Sequence, residues 1–97
     1  ASFSIADTRG ATYTISNAYP NPFNPSTSFS ITMNESEKVR VSVYNVLGKE
    51  INVIHNGPLD IGSHNFVWDA NNLSSGVYYL RTISKTISYS QKLVLIK

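Results

Sequence analysis

The sequence predicts an all-β sandwich of about seven antiparallel strands, and three observations carry the prediction. Apolar and polar residues alternate in short runs. Clusters of Gly, Pro, Asn and Asp interrupt those runs at short, regular spacing. Only one segment, 46–54, also fits a helical apolar stripe.

Two short β-like pieces come first, Phe3 to Ile5 and Thr12 to Ile15, around a turn at Arg9-Gly10. Residues 19–25, Tyr-Pro-Asn-Pro-Phe-Asn-Pro, then change the composition sharply. Pro20, Pro22 and Pro25 lack the N–H that a ladder needs, so this segment does not lie inside a sheet. Each also pushes its predecessor toward extended geometry. A stiff strap is expected, with the domain boundary just before it. Residues 1–18 then form a linker, an upstream tail or an extra strand, and 19–97 form the domain.

After the strap, Thr27 to Met33 alternates strictly, with Phe29, Ile31 and Met33 on one face. Asn34 to Glu37 is a turn. Val39, Val41 and Val43 face one way; Arg40, Ser42 and Tyr44 face the other. Gly48-Lys49 turns the chain. Glu50 to His55 follows as a strand with Ile51 and Val53 as its apolar pair. The helical alternative here rests on Val46, Leu47, Glu50, Ile51 and Ile54; Gly48 and the β-branched residues weigh against it. Asn56-Gly57-Pro58 and Asp60-Ile61-Gly62 read as a longer loop. His64, Phe66 and Trp68 alternate, residues 69–75 make a polar loop, and Val77 to Thr82 and Ile87 to Ile96 close the set. Strands of this kind between turn signals are the pattern of an immunoglobulin-like sandwich.

A chain of 97 residues is one domain with enough core to stand without a staple. It has no cysteine, so there is no disulfide framework and no thiol chemistry. Charged residues make up only 14%, while Ser, Thr and Asn supply 31 residues, a surface suited to a secreted or wall-facing protein. Net charge is +2 and no Lys/Arg run exists, so nucleic acid is not an expected partner. No apolar run exceeds four residues, too short for a membrane span. Residues 1–20 hold no apolar core of a signal peptide. If the protein is exported, its signal lies elsewhere, and the chain is expected to be one piece of a longer precursor.

Reactive constellations are missing. The chain has two histidines, His55 and His64, and three aspartates, with no G-x-S-x-G and no H-E-x-x-H. An enzyme is therefore not expected, nor a cofactor or metal. Asp69 and Asn71 mimic the start of a calcium loop, but Ser74 stands where its glycine belongs and Leu80 where its glutamate belongs. An Asn-rich turn bonding its own backbone is the better reading. Tyr13, Tyr19, Tyr44, Tyr78, Tyr79, Tyr89 and Trp68 offer stacking surfaces for sugar. Trp68 alternates with Phe66 and is expected in the core. Tyr78 and Tyr79, being adjacent, point to opposite faces.

Four blocks in order resemble the C-terminal sorting domains of the type IX secretion system. They are Tyr-Pro-Asn-Pro-Phe-Asn-Pro-Ser-Thr at 19–27 and Val-Tyr-Asn-Val-Leu-Gly-Lys-Glu at 43–50. The third is 62–82, with Trp68-Asp69 and Ser75-Gly76-Val77-Tyr78-Tyr79. The last is Gln-Lys-Leu-Val-Leu-Ile-Lys at 91–97. A related immunoglobulin-like domain of flagellar hook-cap proteins shares the Asn-Pro-Phe opening.

The resemblance implies a non-catalytic address on a passenger that lies upstream in the same precursor. An outer-membrane translocon reads it, a sortase-like cysteine protease cuts within 1–18, and the cargo is secreted or held at the cell surface. The residues implied as the recognised signal are Tyr19, Pro20, Asn21, Pro22, Gly48, Lys49, Gly76, Tyr78, Lys92, Leu93, Val94, Leu95, Ile96 and Lys97. The last strand is the leading candidate: at a sheet edge it would offer free N–H and C=O groups for strand addition. Weak self-association through 1–16 or 89–97 is compatible with such an edge. Two rivals stand beside this reading, a carbohydrate- or surface-binding module and a structural assembly domain.

Overall fold

The computed structural model describes residues 2–6, 12–85 and 88–97. The turn expected at Arg9-Gly10 and the strand start expected at Ile87 lie outside the described residues. Two strands precede the strap, β1 (Ser2–Ala6) and β2 (Thr12–Ser16). Six follow it: β3 (Ser26–Met33), β4 (Glu37–Tyr44), β5 (Glu50–Leu59), β6 (Gly62–Asp69), β7 (Gly76–Ile83) and β8 (Ser88–Leu95). They build two four-stranded sheets, in the orders β1-β2-β3-β6 and β5-β4-β7-β8. Every pairing between these strands is antiparallel.

Alternation explains the core. Phe29, Ile31 and Met33 point inward from β3 and Val39, Val41 and Val43 from β4, all buried. Trp68 and the pair Leu93 and Leu95 join them from β6 and β8. The Trp68 ring lies against Phe23 at 5.6 Å and, edge-on, against Tyr78 at 5.8 Å. Such aromatic pairs contribute about 0.5–1.5 kcal/mol each beyond their buried area. The chain passes from one sheet to the other between β3 and β4, β5 and β6, and β6 and β7. Interleaving of this kind forces the two sheets to pack face to face over one core, the sandwich expected from the sequence.

A tyrosine corner fixes the second crossing into the β5-β4-β7-β8 sheet. The Tyr78 hydroxyl, near the start of β7, donates to the Ser74 carbonyl at 2.7 Å. Corners with this geometry are a hallmark of immunoglobulin-like sandwiches. Tyr78 is buried while its neighbour Tyr79 is exposed, as the pleat requires. Tyr78→Phe keeps the ring and orphans the Ser74 carbonyl. It should cost about 1 kcal/mol of unfolding free energy, readable in urea titration.

One local expectation needs correcting. Residues 56–59 are not loop: β5 runs on through Leu59, with Pro58 opposite Lys38 and Gly57 opposite Val39. A proline is tolerated there because β5 is an outermost strand, where a missing N–H breaks no second ladder. The turn expected at Gly48-Lys49, with a strand rather than a helix after it, is found: β5 starts at Glu50, and the turn is closed by Gly48 N–H donating to the Asn45 carbonyl at 3.0 Å. Gly48 sits at φ +81°, a left-handed value that a Cβ would strain.

Candidate functional site

The proline strap does not hang free between β2 and β3. Its backbone is stitched to both sheets. Tyr19 and Ser28 exchange N–H to C=O bonds of 2.9 and 3.0 Å. The Thr27 hydroxyl donates to the Pro20 carbonyl at 2.8 Å, and Ala70 N–H donates to the Pro25 carbonyl at 2.9 Å. On the other side the strap runs beside β8. Phe23 N–H donates to the Val94 carbonyl at 2.9 Å, and Ile96 N–H donates to the Phe23 carbonyl at 3.0 Å.

Asn21 extends that grip with its side chain. The Asn21 carboxamide donates through Nδ2 to the Lys92 carbonyl at 2.8 Å. Its Oδ1 accepts Val94 N–H at 3.0 Å. A carboxamide carries the same donor and acceptor as a peptide unit, so Asn21 stands in for the backbone that its flanking prolines cannot supply. Gln91 does the same one step back: its Nε2 donates to the Ser16 carbonyl at 3.0 Å and its Oε1 accepts Ala18 N–H at 2.8 Å. Phe23 anchors the strap, its ring buried against Trp68.

This corrects the expectation of a free edge for strand addition. β8 ends its sheet, yet the Lys92 carbonyl, both Val94 backbone groups and the Ile96 N–H are already bonded to the strap. Three prolines close together explain the arrangement. They bar the strap from becoming a full strand, so it covers the edge at two points instead.

The residues expected to carry the signal fall into several settings. Tyr19, Pro20, Asn21 and Pro22 are exposed on the strap. Tyr78, Leu93 and Leu95 are buried, the first in the corner and the others in the core. Gly76 takes φ +155° where β7 begins. Lys92 and Ile96 are exposed and Val94 half-exposed, all at the latch. Lys97 folds back on the loop after β6: its N–H donates to Ser75 Oγ at 2.9 Å and its ammonium to the Asn71 carbonyl at 2.5 Å. In that loop Asp69 Oδ1 accepts Asn71 N–H at 2.9 Å, the local backbone bonding expected of an Asn-rich turn.

Gly48 and Lys49 lie at the β4–β5 tip, apart from the latch. Asn45 Oδ1 accepts both Leu47 N–H at 2.9 Å and Lys49 N–H at 3.1 Å, which fixes the turn. Behind it Arg40 bonds Glu50 at 2.6 Å and the Tyr44 hydroxyl donates to the same carboxylate at 3.0 Å. Partial loss of water pushes the Glu50 carboxyl up, but Arg40 and Tyr44 together outweigh it and hold it below its ordinary 4.5.

Phe23 and Gln91 were not among the residues picked from the sequence. Phe23 could have been: it is the one large apolar side chain enclosed by the strap prolines. Gln91 gives no local sign, because its partners lie more than 70 positions away.

Neither the curated proteins nor the solved structures contain a match to this chain. A family model does match, over residues 17–97, and its description is secretion system C-terminal sorting domain. That span takes in the strap, the tip, the corner and the latched last strand, which are the parts that shape the surface here. The chain therefore belongs to the family of secretion system C-terminal sorting domains, and it is a type IX sorting signal that directs secretion through the outer membrane to the cell surface.

Proposed function

We propose that the type IX machinery reads the closed latch between the strap and β8, not a free strand. The observation supporting this is the paired bonding of Asn21 to Lys92 and Val94, repeated two residues on by Phe23. A sorting domain implies an upstream passenger in the same precursor and the machinery that exports it. The latch sets the direction in which that passenger leaves the domain relative to its last strand. A sortase-like protease of the machinery then cuts within 1–18. The burial of Ile15 favours a cut ahead of Thr12, which leaves the core whole. The folded unit in this reading starts at β2 rather than at the strap.

The domain itself is non-catalytic in this proposal. His55 and His64 each bond a backbone carbonyl, of Gly57 and Asp60. The test is a reporter fused ahead of residues 1–97 in a host carrying type IX machinery. The parent fusion should reach the surface. Asn21→Ala removes two bonds at an exposed site, costing about 1–2 kcal/mol, so the domain stays folded while the latch loosens. Its surface signal should fall several-fold. A folded Asn21→Ala fusion exported at the parent level would sink the proposal. Deleting 92–97 is a poorer test, since it strips Leu93 and Leu95 from the core.

A further inference from the structure

The two outer faces of the sandwich differ in charge. On the β3–β6 side the register sets Ser28, Ser30 and Thr32 beside Val67, Asn65 and Ser63, none of them charged, and at the end of the face Ser26 beside the exposed carboxylate of Asp69. On the other side it sets Ser42 and Tyr44 of β4 beside Arg81 and Tyr79 of β7, and these beside Ser90 and Lys92 of β8. Alternation along each strand sends Tyr44, Arg81, Tyr79, Ser90 and Lys92 out together, while Ser42 is buried. Arg40 shares this face but is spent on Glu50. Among the described residues no carboxylate pairs with Arg81 or Lys92, and Lys49 adds a third cation at the rim.

An apolar knob borders this basic face. Val46 and Leu47 are 67% and 88% exposed, yet the turn carrying them is pinned by Asn45. A groove of about 350 Å³ joins knob to face, lined by Tyr44, Val46, Gly48, Tyr79, Arg81 and Ser90. Tyrosine and arginine are enriched at the centres of protein interfaces. Sugar stacking is disfavoured, because the Arg81 guanidinium lies over the Tyr44 ring at 5.3 Å. That leaves Tyr79 alone, too little for a stacking platform. Two apolar residues are likewise too few for a lipid surface.

We infer that this face, from the Val46-Leu47 knob across Tyr79 and Arg81 to Lys92, docks an acidic protein surface of the export machinery. Carboxylates of the partner stand against Arg81 and Lys92, and an apolar socket takes the knob. The inference rests on the sorting role and names the surface through which it is carried out. It is continuous with the latch, because Lys92 projects on this face while its carbonyl is held by Asn21.

The experiment uses the same reporter fusion, with Arg81→Glu and Lys92→Glu made separately and Asn65→Glu as a charge control on the opposite face. Thermal unfolding of each purified domain checks folding. Lys92→Glu guards against loss of the Arg81–Tyr44 contact, since the Lys92 side chain supports nothing in the core. Like charges set against the partner's carboxylates should cut surface reporter by about tenfold for Arg81→Glu and Lys92→Glu. Asn65→Glu should match the parent. Export of both basic-face variants at the parent level would overturn the inference and leave the sorting role standing. Equal loss from Asn65→Glu would also overturn it. A parent fusion that stays in the cell would remove the sorting reading and this inference with it.

Discussion

Phe23→Ala should lower the unfolding free energy by about 3–5 kcal/mol, the usual cost of emptying a buried aromatic site. Phe23 is 2% exposed and lies against Trp68, so alanine leaves a cavity beside the largest ring of the core. The loss is a large share of the roughly 5–15 kcal/mol that holds a small domain together. A second consequence separates this site from an ordinary core position. The ring is what presses the Phe23 backbone onto Val94 and Ile96. Without it the strap should lift, and amide exchange at Val94 and Ile96 should quicken more than exchange along β3 or β4. Urea titration reads the first effect and hydrogen exchange the second. Unchanged exchange at those two amides would show that the strap's hydrogen bonds hold it without the ring.

A chain begun at Asn17, the first residue of the family match, should be less stable than the full chain by about 2–5 kcal/mol. Ile15 is fully buried and pairs with Ile31 across the β2–β3 ladder. Its loss opens the core from the side. Ser16 goes with it. Its hydroxyl accepts Ser30 N–H at 2.8 Å and its carbonyl accepts from Gln91. Comparing the two chains in urea at equal concentration measures the difference. Equal midpoints would mean that the sandwich is complete without β2.

Much of the sandwich was legible because strand alternation is local. The inward sets on β3 and β4 follow from a period of two, and nothing distant could reverse them. What escaped was long-range. Asn56-Gly57-Pro58 carries every mark of a turn, and only the lack of a second neighbour beside β5 makes it a strand. Ile15 sits in a piece too short for its pattern to speak, and its burial depends on Ile31 arriving beside it. The prolines of 19–25 announced a segment outside the ladders, but not that Asn21 would reach β8. The site residues split for the same reason. Leu93 and Leu95 read as part of the signal and turn inward, while Arg81 and Tyr44, whose partnership needs two strands side by side, left no mark in the sequence.

The latch has a consequence for timing. Its halves stand 71 to 73 positions apart, and the second half is the later one to leave the ribosome. No precursor interrupted before residue 92 can close it. The closed form thus reports that synthesis has run through the whole domain, and so through any passenger ahead of it. An address built this way doubles as a certificate of completion: a chain broken off between the strap and residue 92 carries the strap but cannot close the latch.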